Sequence, residues 1–153
     1  MTPTSELSTA STARCTIFTD GGARGNPGPA AAAGVIIAGD GTIIEEVTEY
    51  LGTTTNNVAE YRALILTLKR AIELGCTRVN VKMDSELVVK QLNGLYRVKD
   101  DKMIPLHAEV RHLLTKFEER AIQHVSRKEN KHADKLVNAV LDARETTLRE
   151  RAQ

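Results

Sequence analysis

Six of the nine residues after Asp20 are glycine or proline: Gly21, Gly22, Gly25, Pro27, Gly28 and Pro29. Such a stretch cannot stay helical, and it lets the backbone turn tightly and lie close to whatever faces it. Just ahead, residues 14–19 carry Ile17 and Phe18 in a short run that reads as a buried strand. An acid therefore arrives where a strand ends, beside open backbone N–H groups. That arrangement suits a metal bound next to a phosphate. Asp-Gly after a strand is also the usual way to write a hairpin turn, so the rest of the chain has to decide.

The spacing of apolar residues sets the order of elements. Residues 30–38 form a small-residue apolar run ending in Val35, Ile36 and Ile37. Gly39-Asp40-Gly41 makes a hairpin turn, and residues 42–51 return with Ile43, Ile44, Val47 and Tyr50 among acids. Three strands joined by short turns imply an antiparallel meander. A long helix opens at residues 53–57, with Tyr61, Leu64, Ile65, Leu68 and Ile72 on one face and Gly75 as its stop. Residues 78–83 alternate Val79 and Val81 with polar neighbours, a fourth strand that delivers Asp84 at its end. Residues 85–93 read as a second helix with Leu87, Val88 and Leu92 inward, closed by Gly94.

A polar connection over residues 95–104 follows, and Pro105 is placed to start a third helix with Val110, Leu113, Leu114 and Phe117 on one side. Residues 121–125 are a short fifth strand and residues 126–131 a basic loop. Ala133, Leu136, Val137, Val140 and Leu141 define the last helix. The expectation is an α/β fold with a five-stranded mixed sheet. Strands 1–3 are antiparallel, the later strands are parallel additions, and helices flank both faces.

At 153 residues the chain has the length of one domain, expected over residues 14–146. Residues 1–13 are rich in Ser and Thr, lack the apolar core of a secretory signal and read as a disordered tail, with an organellar transit segment as the alternative. Residues 147–153 read as a charged tail or a helix extension. No run approaches the ~18 apolar residues of a membrane span. Cys15 and Cys76 sit in no metal-ligand spacing and flank strand-like runs, which favours free thiols in a reducing, cytoplasmic setting. A net charge of +1 excludes gripping a polyanion by bulk charge, so any such site must be a local patch.

Asp20, Glu60, Asp84 and Asp134 each fall at a strand end or helix start. Each also has a structural use. Glu60 stands at capping-box spacing from Asn57, Asp84 precedes a helix, and Asp134 suits the positive end of a helix dipole. Taken together, four acids at a common rim would repel one another unless cations neutralise them, and hard oxygen ligands select Mg²⁺ or Mn²⁺. Two such ions are the standard device for displacement at a phosphodiester. No Gly-Lys-Ser/Thr phosphate loop, Gly-x-Ser-x-Gly elbow or His-Glu-x-x-His helix competes.

Phe18-Thr19-Asp20-Gly21-Gly22 with Gly25-Asn26-Pro27-Gly28-Pro29 resembles the opening signature of type 1 ribonuclease H. Thr54-Thr55-Asn56-Asn57-Val58-Ala59-Glu60 is similar to that family's helix start, Asp84-Ser85 to its third acid and Ala133-Asp134-Lys135-Leu136 to its fourth. The resemblance implies a ribonuclease-H-like fold and cutting of the RNA strand of RNA–DNA hybrids, leaving 3′-hydroxyl and 5′-phosphate ends. It implies two Mg²⁺ ions, with Mn²⁺ as a substitute. Asp20 would bridge both, Glu60 and Asp84 would hold one, and Asp134 would complete the other. Asn26, Asn56 and Asn57 would read ribose 2′-hydroxyls, and Thr55 would touch a DNA phosphate; as residues, all four equally suit turns and helix caps.

The chain departs from the family pattern in two places. The loop before Asp134 is short, and His132 is too close to that acid to stand for the family's loop histidine. Arg127 or Lys128 would contact a phosphate instead, or the loop is simply solvated. The tryptophan-bearing basic handle of bacterial members is absent, leaving Arg97, Lys99 and Lys102 as a smaller patch. That predicts modest, salt-dependent hybrid affinity. The resemblance implies a monomer with no obligate protein partner and no membrane. A hybrid-binding module of little activity, or a phosphoesterase of other specificity on the same fold, are the alternatives.

Overall fold

A computed structural model describes residues 13–152. Residues 1–12 and 153 lie outside it, and with them all but the last residue of the expected N-terminal tail. Strands β1 (Arg14–Ala23), β2 (Gly28–Ala38) and β3 (Ile43–Thr54) form the antiparallel meander. Strands β4 (Arg78–Met83) and β5 (Glu119–His124) add in parallel on the far side of β1, so the order is β3-β2-β1-β4-β5. The described residues hold four helices: α1 (Asn56–Glu73), α2 (Glu86–Leu92), α3 (Met103–Leu114) and α4 (Lys131–Ala152).

The two sides of β2 show how the sheet is covered. Ile36 packs with Tyr61, Leu64 and Leu68 of α1 in the larger core, which α2 and α3 complete. Ala31 and Ala33, of opposite parity, meet Val137 and Leu141 of α4 in a second, smaller core on the other face. Alanine is a poor strand former by propensity. Here the small side chains let helices approach from both sides. Gly34 takes this furthest, since an added Cβ there would fall 1.9 Å from Thr67 Oγ1 on α1.

Several boundaries and faces differ from the sequence expectation. β1 does not stop before Asp20 but pairs through Gly21, Gly22 and Ala23 with β2, because the Gly/Pro turn is confined to residues 24–27. Asp20 therefore sits inside the strand. α1 begins at Asn56, with Thr55 as its cap, so Glu60 lies in the second turn and forms no capping box with Asn57. α3 begins at Met103, two residues before Pro105. In α2, Leu87 faces solvent at 37% exposure while Val88, Val89 and Leu92 turn inward. A helix of seven residues shows barely two turns of period, too little for spacing to tell Leu87 from Val89.

Candidate active site

The acid rim is assembled by one close approach. An added Cβ at Gly21 would fall 2.2 Å from both the carbonyl carbon and oxygen of Ala59. Only glycine lets α1 lie this close to β1, and Ala59 is the residue before Glu60. Asp20 and Glu60 are thereby brought together. β4 runs parallel to β1, with Thr19 opposite Met83, so Asp84 follows Met83 at the same level of the sheet. Carboxylate oxygens of Asp20, Glu60 and Asp84 all lie within 4.8 Å of one another. Asp134, in the first turn of α4, comes from the opposite face and hydrogen-bonds the Asp20 carboxyl. All four line a cleft of about 350 Å³ that also takes in Arg24, Asn56 and Arg127.

This crowding is electrostatically costly. Asp20 is only 9% exposed. Burial first, then the charges of Asp84, Asp134 and Glu60, push its pKa up to about 8. Burial raises Glu60 to about 7, opposed by a Ser85 hydroxyl hydrogen bond, reinforced by Asp84 and again opposed by Arg127. Ser85 also accepts from Val88 N at 3.3 Å and is the cap of α2, so Asp84 is not needed as a cap. A set of carboxylate oxygens that cannot all ionise near neutral pH is the donor set a hard divalent cation satisfies, Mg²⁺ or Mn²⁺.

Of the remaining expected residues, Asn56 and Arg127 line the cleft, while Asn26 bonds Asn56, and Thr55 and Asn57 are the chain neighbours of Asn56. Asn26 Oδ1 accepts from Asn56 N at 3.0 Å, and Asn56 Oδ1 accepts from Ala23 N at 2.8 Å. The two asparagines thus lock the 24–27 turn onto the start of α1. Thr55 Oγ1 accepts from Val58 N at 3.3 Å as the helix cap. Asn57 is half-buried, and among the described residues its side chain makes no hydrogen bond. Arg127 is exposed and near enough to Glu60 to lower its pKa. His132 pairs with Glu46 on β3.

Sequence reasoning missed Asn130, Arg24 and Asn138. Asn130 is fully buried; its Nδ2 donates to the Thr19 carbonyl at 2.8 Å, and its own carbonyl accepts from Asp134 N at 3.1 Å. Asn130 therefore joins the residue before Asp20, through its side chain, to the turn that carries Asp134, through its main-chain carbonyl. The available signal was an Asn three residues ahead of an apolar helical run, hidden within a loop read only for its charge. Arg24 pairs with Asp142 at 2.8 Å and Glu145 at 2.7 Å and bonds Asn138, anchoring α4 to the 24–27 turn. No local signal links positions so far apart in the chain.

Comparison with known proteins places this geometry. The reverse transcriptase-like family model matches residues 18–140. A ribonuclease HI of Halobacterium salinarum is 43% identical over 125 residues, 82% of this chain and 63% of that protein. The crystal structure of RNase H1 from that archaeon superposes with a TM-score of 0.83 at 42% identity, covering 85% of this chain and 98% of the other. A bifunctional protein of Mycobacterium tuberculosis is 42% identical over 83% of this chain and 35% of its own length. The matched stretch thus spans under two thirds of either relative. LC11-RNase H1, solved in complex with an RNA/DNA hybrid, superposes with a TM-score of 0.78 at 42% identity, over 82% of this chain and 94% of that one.

Proposed function

The chain belongs to the ribonuclease H family, and from that premise we propose that it is an endonuclease hydrolysing the RNA strand of RNA–DNA hybrids, leaving 3′-hydroxyl and 5′-phosphate ends. The observation that carries this reading is the meeting of Asp20, Glu60, Asp84 and Asp134 in one cleft, with Asp20 pushed up to about 8. Relatives named ribonuclease HI and the hybrid-bound LC11-RNase H1 support it.

Asp20, which meets both Glu60 and Asp134, would help to hold both of two Mg²⁺ ions. Glu60 and Asp84 would hold one, and Asp134 the other; Mn²⁺ offers similar charge and ligand preference. When bound, such ions lower the pKa of an attacking water and stabilise the leaving oxygen. The protein's own residues do the rest. The Asn26–Asn56 lock holds the 24–27 turn beside the acids, and Asn57, free of internal hydrogen bonds among the described residues, is left to meet a ribose 2′-hydroxyl. Thr55 would touch a DNA phosphate, and exposed Arg127, which lines the cleft, would meet the phosphate at the cut. No obligate partner is needed to complete this set of residues, so a monomer suffices.

The test is a labelled hybrid beside matched DNA duplex and single-stranded RNA, each with Mg²⁺ or Mn²⁺. The expected result is cutting of only the RNA strand of the hybrid, abolished by EDTA and by Asp20→Asn. A hybrid left intact by the wild-type chain with both metals would overturn the reading.

A further inference from the structure

At the other end of the sheet lies a cleft of about 570 Å³ between the C-terminal ends of α2 and α3 and edge strand β5. Its floor is apolar, made by Leu92, Leu114 and Ile122, and its rim carries Arg111, His112 and Arg120. Among the described residues no carboxylate lines it, and neither arginine has an acidic partner within salt-bridge reach. Arg120 pairs in register with Val79 of β4, five residues before Asp84. At ~3.3 Å per residue, that puts Arg120 roughly 16 Å from the level of Asp84.

We propose that this cleft binds an acidic peptide segment of a partner protein, its carboxylates on Arg111 and Arg120 and an apolar side chain on the Leu92–Leu114–Ile122 floor. The first argument is charge. Two helix C-termini contribute about −0.5 each. The two guanidiniums exceed that by about one unit, even though Arg120 donates to the Leu114 carbonyl at 3.0 Å. The second argument separates a peptide from a phosphate ligand. Among the described residues, the carbonyls of Leu92, Asn93 and Thr115 accept no hydrogen bond, and Asn93 uses its Nδ2 on the Ile122 carbonyl at 3.1 Å, leaving Oδ1 open. The cleft thus offers acceptors as well as cations. A peptide brings N–H donors alongside carboxylates, whereas a nucleic-acid backbone brings acceptors and charge but few donors. No Phe, Tyr or Trp lines the cleft for base stacking.

The test is fluorescence anisotropy of the full chain with a labelled acidic hexapeptide alternating aspartate and leucine, at about 50 mM salt where such pairs are little screened. Saturable binding is expected, weakened at least tenfold by the double variant Arg111→Ala/Arg120→Ala and by Arg111→Glu alone, with hybrid hydrolysis unchanged in both variants. Arg111→Glu leaves the Arg120–Leu114 bond intact and so separates lost binding from lost folding. Absence of saturable binding, undiminished binding in both variants, or displacement of the peptide by hybrid would overturn the proposal. Equal binding of an oligothymidylate with the same dependence on the two arginines would assign the cleft to nucleic acid and overturn it likewise.

Discussion

Asp20 is the residue on which charge, burial and position bear at once. In the metal-free protein its pKa near 8 exceeds the ordinary value of 3.8, so between those two values the folded state holds a proton that the unfolded chain has released. Stability therefore falls as pH rises through this window and levels off above it. Asp20→Asn removes that penalty. The variant should be inactive on hybrid yet more stable than the wild type at pH 8, by about 2 kcal/mol, with the gain gone at pH 4. Thermal melts at the two pH values in EDTA check this, and the surface carboxylates Asp40, Glu45, Glu86 and Glu129, whose pKa values are lowered, cancel in the comparison. Asn130 acts through its neighbours. Asn130→Ala loses a buried hydrogen bond, at a cost of about 2 kcal/mol in urea unfolding. Asn130→Asp keeps an acceptor but not the donor to Thr19. It should cut kcat at least tenfold with KM little changed, because the residue before Asp20 loses its tie to the turn that carries Asp134.

The elements meet where small residues permit. Gly21 and Gly22 are adjacent in β1 but stand in different surroundings. An added Cβ on Gly22 would have Val137 Cγ1 at 3.8 Å, an ordinary contact, whereas one on Gly21 runs into the Ala59 backbone. Gly22→Ala should be nearly neutral. Gly21→Ala should cost about 3 kcal/mol and abolish hydrolysis by moving α1, and Glu60 with it, away from β1. Unfolding curves and hybrid cleavage of the two variants read both effects; equal stability would mean that the α1–β1 approach is not tight. The same logic accounts for β2. Its alanine run would be helical by propensity alone, and it is a strand because α1 and α4 cover opposite faces.

At the scale of the whole molecule, the acid rim is a repulsive cluster that the packing of both cores holds together. A ligand that neutralises it should stabilise the entire fold. With an ion held at a dissociation constant of about 1 mM, 10 mM Mg²⁺ would add about 1.4 kcal/mol. That is a rise in Tm of roughly 3–5 °C for a chain this size. The rise should be larger at pH 8 than at pH 5, where protons compete for the same carboxylates. It should vanish in Asp20→Asn. A Tm indifferent to Mg²⁺ at pH 8 would count against an ion site at these acids.

The amino-acid sequence by itself determined the order of elements, since the apolar runs of β1 to β3, the alternation of β4 and the three- and four-residue steps of α1 and α4 are local patterns. It also displayed the four acids and the Gly/Pro turn, because those depend on residue type alone. Where contacts are non-local, sequence carried little. The extension of β1 through Asp20 to Ala23 comes from pairing with β2, and the inward side of α2 is set by what packs on it. The Asn130–Thr19 bond spans 111 positions, and Arg24 reaches Glu145 across 121. Only the tertiary structure decided which carboxyls meet, because a shared cleft is fixed by strand register and by one helix lying against one glycine. Neither leaves a periodic trace in the chain.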